Sequence, residues 1–224
     1  MLSLTGSSVG STRSAPIEDG GVSMRIVNVL RLVSLAAFLY AGQAGCASDL
    51  TGGPGESDFS EDEDLSVEQI AGVLVAVNGA EIEQARIAER RASSPAVRAF
   101  AEHMIADHTA SNGRVARLVS ARGTLSLPST TSRTLSLQAE LEGEVLRRVP
   151  EAIFDVSYVE QQIAAHERAL STIDEQLASA AEDQSVQELV AGERAMIAGH
   201  LAHAQSLRQD MITRRIRESV ILQR

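Results

Sequence analysis

The chain predicts an all-α protein: a four-helix bundle with a long crossover connection between helices 2 and 3. Three observations predict it. Apolar residues recur at three- and four-residue spacing along almost everything after residue 65. Aromatic residues make up only 3% of the chain, so a core must be built from Ala, Leu, Ile and Val, which favours helices packed on helices. Turn signals divide the periodic region into two tight helix pairs joined by a long link.

Composition narrows the function classes. The 224 residues carry 20 basic and 30 acidic side chains, every basic one an Arg, for a net charge of −10. A nucleic-acid footprint needs a concentrated basic face, so no nucleic-acid partner is expected. Cys46 is the single cysteine, which excludes a disulfide scaffold and a Cys-rich zinc module. No Ser/His/Asp order, Gly-rich phosphate loop or nucleophile elbow stands in a suitable context, so no catalytic residue is assigned.

The N-terminal part reads as an address. From Met24 a short basic stretch leads into the apolar run Leu32 to Gly42 and then Gln43-Ala44-Gly45-Cys46. That order of basic, apolar and small residues makes a secretory signal over 24–45. The run is well short of the roughly twenty residues that span a bilayer. Ala44-Gly45-Cys46 resembles a bacterial lipoprotein cleavage site, with Cys46 lipidated and membrane contact made through that lipid. Gln43 stands where such signals prefer an apolar residue, and simple secretion or a retained anchor are the alternatives. Residues 1–23 read as an extension upstream of the true start. Asp49 comes too late for an inner-membrane retention signal, so a periplasmic, outer-membrane-anchored location is the expectation. Residues 46–64 are rich in Gly, Ser and acid and read as a flexible tether.

The bundle is expected over 65–211. Ser66-Val-Glu-Gln69 is a capping box that starts the first helix, whose apolar stripe runs through Ile70, Leu74, Val77, Glu81, Ala85 and Ala88. Ser94 and Pro95 start the second, with stripe Val97, Ala101, Met104, His108, Val115 and Leu118, and Gly123 stops it. The connector carries a short helix around Ser136–Arg148. The third helix begins near Pro150 with stripe Val156, Val159, Ile163, His166, Leu170, Ile173 and Leu177. Ser185-Val-Gln-Glu188 reads as a second capping box ahead of Val186, Val190, Glu193, Ile197, His200, Ala204, Leu207 and Met211. Residues 212–224 form a helical overhang with Arg214, Arg215 and Arg217.

Three of these stripes carry a histidine, each closing an Ile-Ala-x-His tetrapeptide: His108, His166 and His200. In an antiparallel hairpin, residues equidistant from the turn lie at one height. Glu81 and His108 are centred on residue 94.5, and His166 and His200 on 183, both inside predicted turns. One carboxylate and three imidazoles therefore converge at mid-bundle, and Glu81, His108, His166 and His200 are the candidate ligands for Zn, Fe, Mn or Cu. Asp107 is placed as an acceptor that orients His108. Met104 and Met196 lie one turn before their histidines, as core filler or as thioether ligands that would lean towards copper, and Glu193, one heptad before His200, is a further ligand or a buried acid. Glu83, His103 and His203 read as surface. The same central residues also fit a scaffold or interaction module whose buried Glu and His only fix helix register.

From about Val67 to Leu207 the sequence resembles the ferritin-like domain-of-unknown-function family 4142, met as outer-membrane or periplasmic proteins. The resemblance is carried by Glu81-x-Glu83, Phe100-Ala-x-x-Met104-x-x-Asp107-His108, Leu127-Pro128, Phe154-Asp155-x-x-Tyr158 with His166, and His200-Leu201. The chain departs from it at Gln162, where an apolar residue is usual, and at Ala165, where Asp is frequent. The resemblance implies a ferritin-like bundle and an envelope location, and no reaction. A ferroxidase is not supported, because Glu-x-x-His occurs nowhere on the stripes.

Overall fold

A computed structural model describes residues 65–223, almost all of them helical. The signal, Cys46 and the tether lie outside the described residues. Helix α1 spans Val67–Arg91 and opens on the expected box: Ser66 Oγ accepts from the Gln69 amide at 3.3 Å, and Gln69 Oε1 accepts from the Ser66 amide at 2.9 Å. Helix α2, Pro95–Ala121, has Pro95 at its first position. Ser94 holds the cap position, but its side chain makes no capping bond. Asp155 caps from another helix instead, accepting from the Ser93 and Ser94 amides at 3.0 and 2.8 Å and from Ser93 Oγ at 2.6 Å. A carboxylate satisfies several orphan N–H groups and complements the positive helix end.

At its far end α2 stops where expected. Gly123 adopts φ +67°, the Gly123 amide donates to Ser120 O at 3.0 Å, and the Thr124 amide donates to Val119 O at 3.0 Å. This is a Schellman motif, and its left-handed residue favours glycine.

The crossover is more helical than expected: α3 spans Thr130–Arg148, starting six residues before Ser136. A reciprocal Ser129–Ser132 capping box accounts for the difference, because the Ser/Thr-rich stretch that suggests a loop supplies the cap. Arg91 closes the other end, donating to the carbonyls of Leu146, Arg147 and Val149 while its guanidinium lies 4.4 Å from the Phe154 ring centre. Helix α4, Glu151–Thr172, runs into a π turn at Ile173–Leu177 and a last short turn at Ala178–Ala180. Helix α5 covers Gln184–Leu222, 39 residues, and overhangs its partners. Its cap is Asp183, not Ser185: Asp183 accepts from the Val186 amide at 3.0 Å, while Ser185 Oγ donates to Asp183 at 2.7 Å. The carboxylate, two residues earlier, takes the orphan amide first.

The hairpins α1/α2 and α4/α5 pack together, α2 against α5 and α1 against α4, and α3 crosses over α1. Every apolar stripe faces inward, with Leu118, Val156, Leu170 and Met211 half-buried at the margins. Two apolar clusters fill the interior. One holds Phe100, Met104, Phe154, Tyr158, Val159 and Leu207; the other holds Ile70, Leu74, Val115, Ile173, Val190 and Ile197. On every core helix buried polar residues stand between the two clusters: Asn78 and Glu81, His108 and Ser111, His166, and His200. The fold thus builds one polar storey between two dry ones. Beyond residue 211, Ile212, Ile216 and Val220 are exposed on the overhang. None of the described helices is long and apolar enough to cross a membrane.

One glycine is sterically required. The connector donates the Leu127 amide to Glu68 O at 2.8 Å, and a Cβ on Gly72 would lie 1.9 Å from the Leu127 carbonyl oxygen. Both partners are backbone, so neither yields easily. Gly72→Ala is expected to destabilise the protein by about 1–3 kcal/mol. Gly79→Ala, with nothing within 4 Å of its new Cβ, is expected to be neutral or stabilising by about 0.5–1 kcal/mol. Paired thermal melts of the two variants check this.

Candidate metal centre

The polar storey gathers His108 from α2, His166 from α4 and His200 from α5. One ligand nitrogen from each lies within 4.8 Å of the other two, and all three rings are buried. The ring centres are 5.1 Å apart for His108 and His200, 5.6 Å for His166 and His200, and 6.1 Å for His108 and His166.

Hydrogen bonds decide which nitrogens face the centre. His108 Nδ1 meets Asn78 Oδ1 at 2.8 Å, His166 Nδ1 meets the Gln162 carbonyl at 2.8 Å, and His200 Nε2 meets Asp107 Oδ2 at 2.9 Å. Each partner is an acceptor, so each of these nitrogens carries the proton. The other nitrogens, His108 Nε2, His166 Nε2 and His200 Nδ1, are buried and unpartnered. A neutral imidazole has one N–H and one lone pair, so each of the three rings keeps a buried lone pair without a partner.

For His108 a longer chain enforces the tautomer. Arg114 donates to Glu193 Oε1 at 3.0 Å, and Ser111 Oγ donates to Glu193 Oε2 at 2.5 Å. Having spent its proton on Glu193, Ser111 can only accept from Asn78 Nδ2, at 2.7 Å. That fixes the Asn78 amide so that Oδ1 points at His108. A guanidinium on the half-exposed edge of the bundle therefore sets the proton position on a buried ring, through three side chains.

Several expectations are corrected in detail. Asp107 orients His200 and not its neighbour His108; consecutive helical residues point about 100° apart and do not face each other. Asn78, one turn before Glu81, is the residue opposite His108, so the hairpin level holds only to within a turn. Glu81 stands beside the trio and not in it, with Oε1 3.8 Å from His166 Nδ1, the nitrogen already given to Gln162. Glu193 is a buried acid held by Ser111 and Arg114. Met104 is core filler in the apolar cluster, and Met196 Sδ lies 3.7 Å from Arg114 Nη2. Glu83 is exposed and pairs with Arg86. His203 is exposed, its ring edge-on to Phe100 at 4.9 Å. His103 is exposed yet belongs to the same neighbourhood, its Nε2 2.9 Å from the Asp107 oxygen that His200 also uses.

Asn78, Ser111 and His103 are thus the site residues that sequence reasoning missed. Asn78 falls between Leu74 and Glu81 on the first stripe, and Ser111 fills the gap between His108 and Val115. Both look like interruptions of an apolar pattern until a polar partner is seen.

Burial governs the electrostatics. It pushes the Glu81 carboxyl up to about 8 and holds the His166 imidazole down to about 4. It also carries His108 well below the ordinary histidine value, helped by repulsion from His200, His166 and Arg114. His200 is lowered by burial and partly restored by Asp107. Near neutral pH the Glu81–His166 approach is therefore between two uncharged groups and is no salt bridge. Glu81 Oε2, Tyr158 Oη and Gln162 Oε1 are further buried atoms without partners. A cavity of about 30 Å³ beside Glu81, bounded also by Gln84, Glu142 and Arg168, has room for about one water.

Three neutral imidazole lone pairs in a dry pocket are a ligand set for a transition metal. A tetrahedral ion with metal–nitrogen bonds of about 2.0–2.1 Å would draw the nitrogens to about 3.3 Å from one another. The three histidines would hold such an ion, and the Glu81 carboxyl, with Oε2 unpartnered, stands beside His166.

Fold and site together define an all-helical protein with a buried three-histidine centre. The chain belongs to the family described as Domain of unknown function (DUF4142), whose model matches residues 55–207. No curated protein and no solved structure matches it.

Two outcomes follow from this geometry. Glu81 titrates higher folded than unfolded, so its contribution to stability is complete below about pH 4.5 and is lost as pH rises to about 8. The three histidines titrate lower when folded, and their contribution is lost as pH falls below about 6.5. Metal-free Glu81→Gln should therefore gain on the wild type between pH 5 and 8, by roughly 1 kcal/mol or more, measured by denaturant melts across that range. Asn78→Leu removes the acceptor that fixes His108, and competition with a chelator should show metal affinity lower by about 10–100-fold.

Proposed function

We propose that this protein is a ferritin-like four-helix bundle of the cell envelope that holds one transition-metal ion on His108, His166 and His200. The carrying observation is the convergence of three buried, unpartnered imidazole nitrogens whose opposite nitrogens are each committed to an acceptor. Metal-binding histidines are oriented by such acceptors, which raise the basicity of the free nitrogen. An all-imidazole set favours Zn, Cu or Fe over Mn, which prefers oxygen.

A centre that only fixed helix register would have its buried polar atoms paired. Here one nitrogen of each of the three neighbouring rings is unpaired, and a shared metal ion would satisfy all three at once, which supports metal holding over a scaffold role. The proposed role is retention of the ion, or stress protection through it, in the envelope. The signal-like segment before Cys46 supports secretion and lipid anchoring at the outer membrane, and the tether would let the bundle stand off the surface.

Elemental analysis of the purified full chain, with thermal melts in added Zn²⁺, Cu²⁺ or Fe²⁺, tests the reading. One metal equivalent is expected, with stabilisation of about 2.7 kcal/mol when the free ion is at 100 times its Kd. His108→Leu/His166→Leu/His200→Leu should lose the metal response and melt no lower than the metal-free wild type. A wild type that purifies metal-free and does not respond to any of the three ions would rule out the centre.

A further inference from the structure

A buried centre needs a way in. The three histidines are almost fully enclosed, and each side of the storey has a different lining. On one side Arg114 stands over Glu193. On another, the small cavity beside Glu81 carries Arg168, paired to Glu142 at 2.6 Å. Each of these approaches is closed by an ion pair, Arg114–Glu193 on one and Arg168–Glu142 on the other, and neither offers an imidazole.

The α2/α5 side differs. There, side-chain exposure falls in steps from 55% at His103 to 37% at Asp107 and 4% at His200, while His108 and His166 lie at 0–1%. The three outer groups converge in their own right: one ligand atom from each of His103, Asp107 and His200 lies within 4.8 Å of the others. His103 Nε2 and His200 Nε2 both approach Asp107 Oδ2 at 2.9 Å, and the two rings meet edge-on with centres 5.5 Å apart. Two imidazole nitrogens and a carboxylate oxygen form a ligand set for a divalent transition metal.

His200 belongs to both groups. Its Nε2 meets Asp107 on the outside, and its Nδ1 is buried and unpartnered, on a ring whose centre lies 5.1 and 5.6 Å from those of His108 and His166. Two ligand sets thus share one ring, which has a nitrogen to offer each of them.

We infer that His103, Asp107 and His200 form an outer cation site through which a divalent metal enters the buried His108–His166–His200 centre. The inference rests on the buried trio being a metal centre. A metal arriving from solvent is held first by His103, Asp107 and His200 Nε2, with the single proton of the His200 ring on Nδ1. On transfer inward the metal takes Nδ1 as the ring gives that proton up to water, while Nε2, freed on the solvent side, takes a proton from water and again donates a hydrogen bond to Asp107. Asp107 thus serves twice, as an outer ligand during entry and as the group that orients His200 afterwards.

The test is the rate at which Co²⁺ loads the metal-free full chain, followed by the visible absorption of the bound ion under limiting Co²⁺. His103→Ala alters an exposed residue that leaves the Asp107–His200 bond intact. It is expected to load about tenfold or more slowly, as for loss of a site that concentrates the ion locally, yet reach the wild-type absorbance. His203→Ala, an exposed histidine outside the outer group, should load like the wild type. Equal rates for wild type and His103→Ala, or a lowered final absorbance at an unchanged rate, would overturn the entry route while leaving the buried centre standing. A wild type that never acquires the absorption removes the buried centre, and the route with it. Melting of each metal-free variant confirms that it is folded.

Discussion

Everything in the site depends on keeping three imidazoles uncharged, in one tautomer, inside a layer that water does not freely reach. An imidazole buried without a partner for both nitrogens is costly, and an imidazolium there more so. The bundle meets this by giving each ring one fixed acceptor: an amide oxygen, a main-chain carbonyl and a carboxylate. What is left over is directional, three lone pairs aimed at one small volume.

The surrounding architecture sustains that layer. Apolar clusters above and below exclude water, which depresses the histidines and raises Glu81. The hairpins set the height of each ring, and contacts far from the site hold the hairpins in register. Asp155 ties α4 to the start of α2, and Arg91 ties α1 to the end of α3. Gly72 lets the connector lie against α1. The polar chain from Arg114 to His108 runs from α2 to α5, back to α2, on to α1 and back to α2, so helix register and proton position are coupled.

Much of this can be read in the amino-acid order, and the rest fails for definite reasons. Helix period, Gly123 and the Ser66 box are local signals, and they agree with the structure. The three histidines announce themselves because they recur at equivalent stripe positions. Asn78 and Ser111 do not, since a polar residue in an apolar stripe means nothing until its partner on another helix is known. Asp107 is misassigned from adjacency for the same reason, its partner being 93 residues away. His103 reads as surface because it lies off the apolar stripe, yet an exposed position is what the outer site requires. The π turn at Ile173–Leu177 leaves no mark on the stripe, because Ile173 and Leu177 are buried as an ordinary helix would bury them.

The proton positions are the most direct test of the account. Nitrogen-15 NMR of the metal-free protein at pH 7, correlating ring nitrogens with ring carbon-bound protons, distinguishes the two neutral tautomers and the cation for each histidine. Neutral rings protonated on Nδ1 at His108 and His166 and on Nε2 at His200 are the predicted result. A protonated cation at any of the three, or the opposite tautomer at His108, would show that the lone pairs do not converge and would contradict the account.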